Sequence, residues 1–276
     1  MSFKPATRKN AKLRLALSGT AGAGKTYSAL LFAKEFGSKI AVMDSERGSA
    51  SLYADLVPFD VCELEEKNVQ EYLEKIKEAA AAGYEVLVID SYSHSWLGAI
   101  ETVDKMGGSK FSNGWKVVSP LVTKLTDAIL SYPGHVIATM RSKADYAIEN
   151  VNGKAIPKKL GMATVAREGT DFEFSVMLDL TVEGGVSVSK TRCSKLAGGV
   201  YTREDIPKIA KTLKAWLTEG APLSPRDAMA EKIRFAQDEA ALAALIPELK
   251  SMNPEDVKAL KTLYSARKTE FQGAVE

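Results

Sequence analysis

The sequence predicts an α/β fold: a mainly parallel central sheet flanked by helices, with a small helical segment at the C-terminus. Three observations carry that prediction. From Leu13 to Met140, short apolar runs of strand length alternate with segments of helical spacing, and strands separated by helices cross over and lie parallel. A glycine-rich turn, GTAGAGKT (19–26), stands between the first strand and the first helix. Past a proline-containing linker, only helical patterns remain.

The elements follow in order. Residues 1–12 carry Lys4, Arg8, Lys9 and Lys12 without an acid and read as a solvated basic leader. LRLALSG (Leu13–Gly19) is a buried strand, and Lys25–Phe36 is a helix that Gly37 can terminate. KIAVMD (Lys39–Asp44) is a second strand. Asn68 caps a helix through Ala82 that ends at Gly83, and EVLVID (Glu85–Asp90) is the next strand. A helix around Ser95–Lys105 gives way to the polar loop GGSKFSNG. Trp115–Tyr132 is again helical, with Pro120 expected to start or kink it. HVIATM (His135–Met140) is a buried strand, whereas Arg141–Glu168 is polar and fits no element. Phe174–Thr181 and Val186–Thr191 form a hairpin around EGG, and Asp205–Leu217 is amphipathic. The expected organisation is a main domain over 13–218, a linker (EGAPLSP) over 219–225 and a helical appendage over 226–276. Within the appendage, helices are expected at Asp227–Ala236, at Asp238–Met252 and after Asn253-Pro254.

Composition excludes several classes. Lys and Arg number 37 against 35 Asp and Glu, a net charge of +2, so the chain is no polycation and nucleic-acid contact must come from local clusters. No apolar run approaches the roughly 18 residues of a membrane span. The N-terminus lacks the apolar stretch and cleavage site of a secretory signal. Two cysteines (Cys62, Cys193) and two histidines make neither a disulfide framework nor a zinc site, which fits a reducing, cytosolic setting.

GTAGAGKT satisfies G-x-x-x-x-G-K-[ST] between a strand and a helix, where a phosphate-binding loop belongs. Glycines let successive N–H groups of Gly19, Thr20, Ala21, Gly22, Ala23 and Gly24 approach phosphate oxygens. The following helix points its positive end at the same anion. Lys25 should reach the β- and γ-phosphates and the Thr26 hydroxyl should ligate Mg²⁺. A packing turn would explain the glycines but not a lysine and threonine together. VLVID (Val86–Asp90), about 65 residues on, brings Asp90 to a strand end where it can hold the magnesium through water. Glu46, just after the second strand, can orient a water for in-line attack.

On these motifs the chain resembles RecA-like P-loop recombination ATPases. It is closest to the short phage-type nucleotide-binding AAA-domain proteins associated with single-strand annealing. The likeness covers about Lys12–Leu217 and omits the C-terminal helices. It implies ATP with Mg²⁺, Glu46 as catalytic base, and Tyr53, seven positions on, stacking on adenine; a core tyrosine is the alternative for Tyr53. The strand after Asp90 in that family ends in a polar γ-phosphate sensor. Here Met140 fills the position, leaving Thr139 or Arg141 to replace it. Two DNA-binding loops map to Met106–Gly114, with Lys110 and Phe111, and to Ser142–Ala166, with Lys143, Tyr146, Lys154, Lys158 and Lys159. Basic residues interleaved with aromatics suit single-stranded DNA. Lys190 and Arg192 in SKTRC match the cations that reach a neighbour's γ-phosphate. The resemblance thus implies a homo-oligomeric ring or filament, a single-strand-binding or other recombination protein as a further partner, and the host cytoplasm if phage-encoded. An ATP-dependent switch or loader with little turnover is the alternative.

Overall fold

In the computed structural model, which describes residues 11–107, 113–151, 154–219, 224–236 and 238–272, the chain begins with β1 (Arg14–Gly19), α1 (Lys25–Phe36), β2 (Ile40–Asp44) and β3 (Asp60–Glu63). It continues through α2 (Val69–Ala81), β4 (Val86–Asp90), α3 (Tyr92–Lys105) and α4 (Asn113–Ser131) to β5 (His135–Val151) and β6 (Lys154–Thr164). A single turn, α5 (Thr170–Glu173), precedes β7 (Val176–Leu180), β8 (Gly185–Thr191) and β9 (Val200–Thr202). Helix α6 (Ile206–Thr218) packs back on the sheet, and α7 (Pro225–Arg234), α8 (Glu239–Ala244), α9 (Ile246–Lys250) and α10 (Pro254–Gln272) follow.

The sheet order is β3-β2-β4-β5-β1-β7-β8-β9. Every pairing from β3 through β7 is parallel, and β8 and β9 add antiparallel strands at one edge. Strands β1, β2 and β4 are buried along their whole length, which is why they read as unbroken apolar runs rather than as alternating ones. Alternate side chains still divide between faces. Leu15, Leu17, Val42 and Val88 join a core cluster with Leu30, Phe32 and Leu213 from α1 and α6. Ala16, Met43, Leu87 and Ile89 join a second with Tyr72, Val122 and Leu125 from α2 and α4. A third, separate cluster of Met229, Ile233, Leu242, Leu249 and Leu260 holds the C-terminal helices.

Register sets the site. Strand β5 lies between β1 and β4, with Gly19 level with Arg141 and Asp44 level with Asp90. Four chemically loaded residues therefore share the carboxyl edge of the parallel strands, where α/β sheets bind ligands.

Several expectations need correction. Helix α3 starts at Tyr92, not near Ser95. Helix α4 runs unbroken from Asn113 with Pro120 inside it; the proline is exposed, so its ring and the missing N–H bond face outward. The polar stretch after Met140 is not a loop. Strand β5 continues through Val151 and pairs antiparallel with β6, with a bulge between Asp145 and Tyr146. The overlooked signal is Asn152-Gly153, a hairpin dipeptide between the two segments. Strand β9 had no sequence signal strong enough to be foreseen. The expected helix over 238–252 is two, α8 and α9, because Pro247 starts a new first turn. Residues 1–10 of the leader, 220–223 of the linker, and Lys110 and Phe111 lie outside the described residues. Among the described residues, no helix is long and apolar enough to cross a membrane.

Candidate active site

The loop from Gly19 to Thr26 owes its shape to its glycines, as Gly19 and Gly24 illustrate. A Cβ on Gly19 would stand 2.7 Å from Leu180 O and 2.9 Å from the Ala23 Cβ, so the loop's entry fits against β7 only without a side chain. Gly24 has φ +79°, the left-handed region, and is the N-cap of α1. No side chain caps that helix. Its first N–H groups therefore lack side-chain partners and face the concavity, as anion binding requires. Lys25 Nζ donates to Thr20 O at 2.8 Å, which keeps the ammonium over the loop.

Asp90 ends β4 beside this loop. Its carboxylate accepts from the Thr26 hydroxyl at 2.6 Å and from the Thr139 hydroxyl at 2.5 Å. Burial raises the Asp90 pKa, the two hydroxyls oppose that, and Glu46 and Asp44 raise it further. Burial likewise lowers the Lys25 pKa, against the pull of Glu46 and Asp90. Both groups gain from added ligands of opposite charge: a cation at Asp90, an anion at Lys25. Among the described residues, no cluster of three His, Cys, Asp or Glu side chains could hold a metal unaided. A divalent cation here would draw on Thr26, Asp90 and phosphate oxygens with water, the donor set that suits Mg²⁺. The residues fit a magnesium nucleotide.

Across the cleft, the turn after β2 is shaped by Asp44, a fully buried carboxylate that sequence reasoning missed. It accepts from Glu46 N at 2.5 Å and Ala50 N at 2.9 Å, fixing the turn that presents Glu46 and Tyr53. Its only signal was its place at the end of an apolar strand, the same signal that picked out Asp90. Ser45, also buried and also missed, bonds Asp90 O from its amide at 2.6 Å and meets His94 Nδ1 through its hydroxyl at 2.6 Å. The Glu46 carboxylate lines the cleft and pairs with Arg141 at 2.8 Å. Arg141 in turn is held by its amide, which donates to the Ser93 hydroxyl at 2.8 Å. The cleft encloses about 490 Å³ between Gly22, Lys25, Thr26, Glu46, Tyr53 and Asp90. A larger cavity of about 690 Å³ lies at the opposite, amino edge, between Glu85, His135 and the C-terminal helices, away from the phosphate loop.

Residues 11–214 match the family model AAA_24, described as an AAA domain. The chain belongs to this AAA domain family. No curated protein matches it. The AAA domain is a P-loop nucleotide-binding module whose members hydrolyse ATP, typically with Mg²⁺.

Within the AAA domain the other sequence-predicted residues separate clearly. Tyr53 lines the cleft and meets Tyr27 edge-on, with ring centroids 6.0 Å apart, while also touching the core on the α1 side. Of the two sensor candidates, Thr139 is fully buried and bound to Asp90, whereas Arg141 faces the cleft. Lys190 and Arg192 are not in this cleft. Thr191 pairs with Val176, which pairs with Leu15, so both cations stand at the amino edge of the AAA domain's sheet. Lys190 Nζ donates to Asp171 O and Phe172 O at 2.8 and 2.5 Å, and Arg192 is exposed. Lys143 is exposed at the base of the β5–β6 hairpin. In that hairpin Tyr146 pairs with Lys159, Ala147 with Lys158 and Val151 with Lys154.

Proposed function

We propose that the chain is a Mg²⁺-dependent ATP hydrolase acting with single-stranded DNA in phage-like homologous recombination or strand annealing. The observation that carries hydrolysis is Glu46. Its carboxylate faces Lys25 and Thr26 across one cleft and is held by Arg141 rather than lost to solvent. Lys25 and the loop amides neutralise the phosphates, and Glu46 orients a water in line with the terminal one. Thr26 and Asp90 would hold Mg²⁺, whose charge offsets that developing on the transferred phosphoryl group. Tyr53 supplies an aromatic face for the base.

The DNA and assembly parts rest on placement. The β5–β6 hairpin continues directly from Arg141, so an element bearing Lys143, Lys154, Lys158 and Lys159 is joined to the residue that grips Glu46. Lys190 and Arg192 stand at the far edge from their own loop, where they can serve only another subunit's phosphate. We therefore favour head-to-tail assembly, single-stranded DNA on the hairpin, and a bacterial host cytoplasm with a single-strand-binding or other recombination protein nearby.

One observation favours a second reading, an ATP-dependent switch or loader: the Glu46 carboxylate is already engaged by Arg141, which would slow turnover. ATP hydrolysis measured with and without single-stranded DNA separates the two. The hydrolase reading expects turnover that DNA stimulates. Glu46→Gln should still bind ATP but hydrolyse it roughly 100-fold or more slowly, the usual scale for losing a general base. Normal turnover in that variant removes Glu46 from the mechanism.

A further inference from the structure

Arg203 opens the turn that leads into α6. Its neighbours Thr202 and Asp205 cap each other, with Asp205 Oδ2 accepting from the Thr202 amide and hydroxyl at 3.0 Å each. The Arg203 amide donates to Gly184 O at 2.8 Å, tying the turn to the tip of the β7–β8 hairpin. From this fixed base the side chain reaches the outside of the phosphate loop, 180 residues away in sequence. Nη2 donates to Ala23 O at 3.1 Å and, at 3.4 Å, to Thr181 O. The guanidinium lies close against Gly24: a Cβ there would be 2.9 Å from Nε and 3.0 Å from Cζ. Nε itself is buried without a hydrogen-bond partner, and Nη2 carries the bonds to the Ala23 and Thr181 carbonyls.

The peptide joining Ala23 to Gly24 is planar and trans, so its C=O and N–H point in opposite directions. Fixing the Ala23 carbonyl outward on Arg203 therefore fixes the Gly24 N–H inward, toward the anion. We infer that Arg203 is a positioning residue for the phosphate loop, holding the 23–24 peptide in its anion-binding orientation and placing a permanent positive charge behind it. Arg203 is not among the residues lining the cleft; it acts through the loop rather than by touching the nucleotide. This inference rests on the reading of the cleft as a nucleotide site.

The test is an equilibrium titration of ADP against the full chain, paired with KM and kcat for ATP. Arg203→Ala should weaken ADP binding and raise KM roughly 3- to 10-fold, the scale of removing one hydrogen bond, with kcat within about 2-fold because ground and transition states are weakened equally. Arg203→Lys, which keeps the charge and one donor toward Ala23 O, should recover part of the affinity. A purely structural tie between α6 and the loop would lower thermal stability and leave ADP affinity and the KM-to-kcat split unmoved. Equal ADP binding by wild type and both variants overturns the role of Arg203 alone. Absence of ADP binding by the wild type overturns the nucleotide reading and this inference together. Should Arg203→Ala fail to fold, Arg203→Lys decides: unchanged affinity in that variant overturns the inference.

Discussion

His135 shows how far a residue's chemistry is set by its place at one end of a strand. Half-buried at the start of β5 against Phe36, it accepts the Leu13 amide at Nδ1 over 3.0 Å. Burial first, then the charges of Lys12, Arg14 and Lys214, push its pKa down from 6.5 to about 4. Protonation would also break the bond to Leu13. Between these two values the unfolded chain binds the proton and the folded one does not, so stability is full above pH 6.5 and falls as the pH drops toward 4. His135→Asn keeps an acceptor for Leu13 but cannot titrate. Its melting temperature should fall less steeply than the wild type's across that window, and identical slopes would exclude His135 as the source. The same residue-level view explains which parts of the site were legible. Gly19–Thr26 follows from spacing, because phosphate chemistry demands particular residues at particular intervals, and Asp90 and Glu46 from their places at strand ends. Tyr53 comes from the family resemblance, and all of these but Gly19, Thr20 and Ala23 line the cleft. Asp44, Ser45 and Arg203 were missed. Asp44 carried only the strand-end signal it shares with Asp90, with which it lies level, Ser45 carried none, and the contact of Arg203 with the loop spans 180 residues, which no local pattern encodes.

At the scale of elements, the buried parallel strands and their crossover helices were legible because continuous apolar runs between helical periods have few other solutions. The β5–β6 hairpin was not, since its polar composition and scattered apolar positions mask the period-two pattern. Only Asn152-Gly153 marked it, and a two-residue signal is easily passed over. The residues proposed to contact DNA thus stand not on a loop but on a strand pair that continues from the edge bearing the cleft. Backbone pairing places Lys158 opposite Ala147 and Lys159 opposite Tyr146, and the proposed single-stranded DNA contact draws on such alternation of basic and aromatic residue types. Replacing Lys158 and Lys159 together by Ala should weaken single-stranded DNA binding uniformly across sequences. It should also lower the slope of log affinity against log salt by about 0.7 for each phosphate of the single strand that is no longer neutralised. ATP affinity without DNA should stay unchanged. A variant with wild-type affinity and salt slope would take the hairpin out of DNA recognition.

The candidate residues of the whole molecule lie on two opposed edges of the sheet. The phosphate loop, Asp90, Glu46 and Arg141 occupy the carboxyl edge of the sheet, and Lys190 and Arg192 the amino edge, so no single chain can bring the two sets together. If the cations act on a phosphate, one subunit's amino edge must meet the next one's cleft, a heterologous contact that closes as a ring or extends as a filament. Lys190 is partly engaged by the carbonyls at the end of α5, which leaves the exposed Arg192 as the cleaner probe. Glu46→Gln subunits retain Arg192, and Arg192→Ala subunits retain Glu46, so under the proposed mechanism each alone should hydrolyse ATP slowly, for a different reason. In an equal mixture assembling at random, a site works when its own subunit supplies Glu46 and its neighbour supplies Arg192. Each condition holds for half the subunits, so about a quarter of wild-type turnover should return in a head-to-tail assembly. Recovery should peak near equal proportions and vanish on dilution below the assembly concentration, both readable from ATP turnover alongside light scattering. If no ratio restores activity, the cations at the amino edge serve no neighbouring nucleotide.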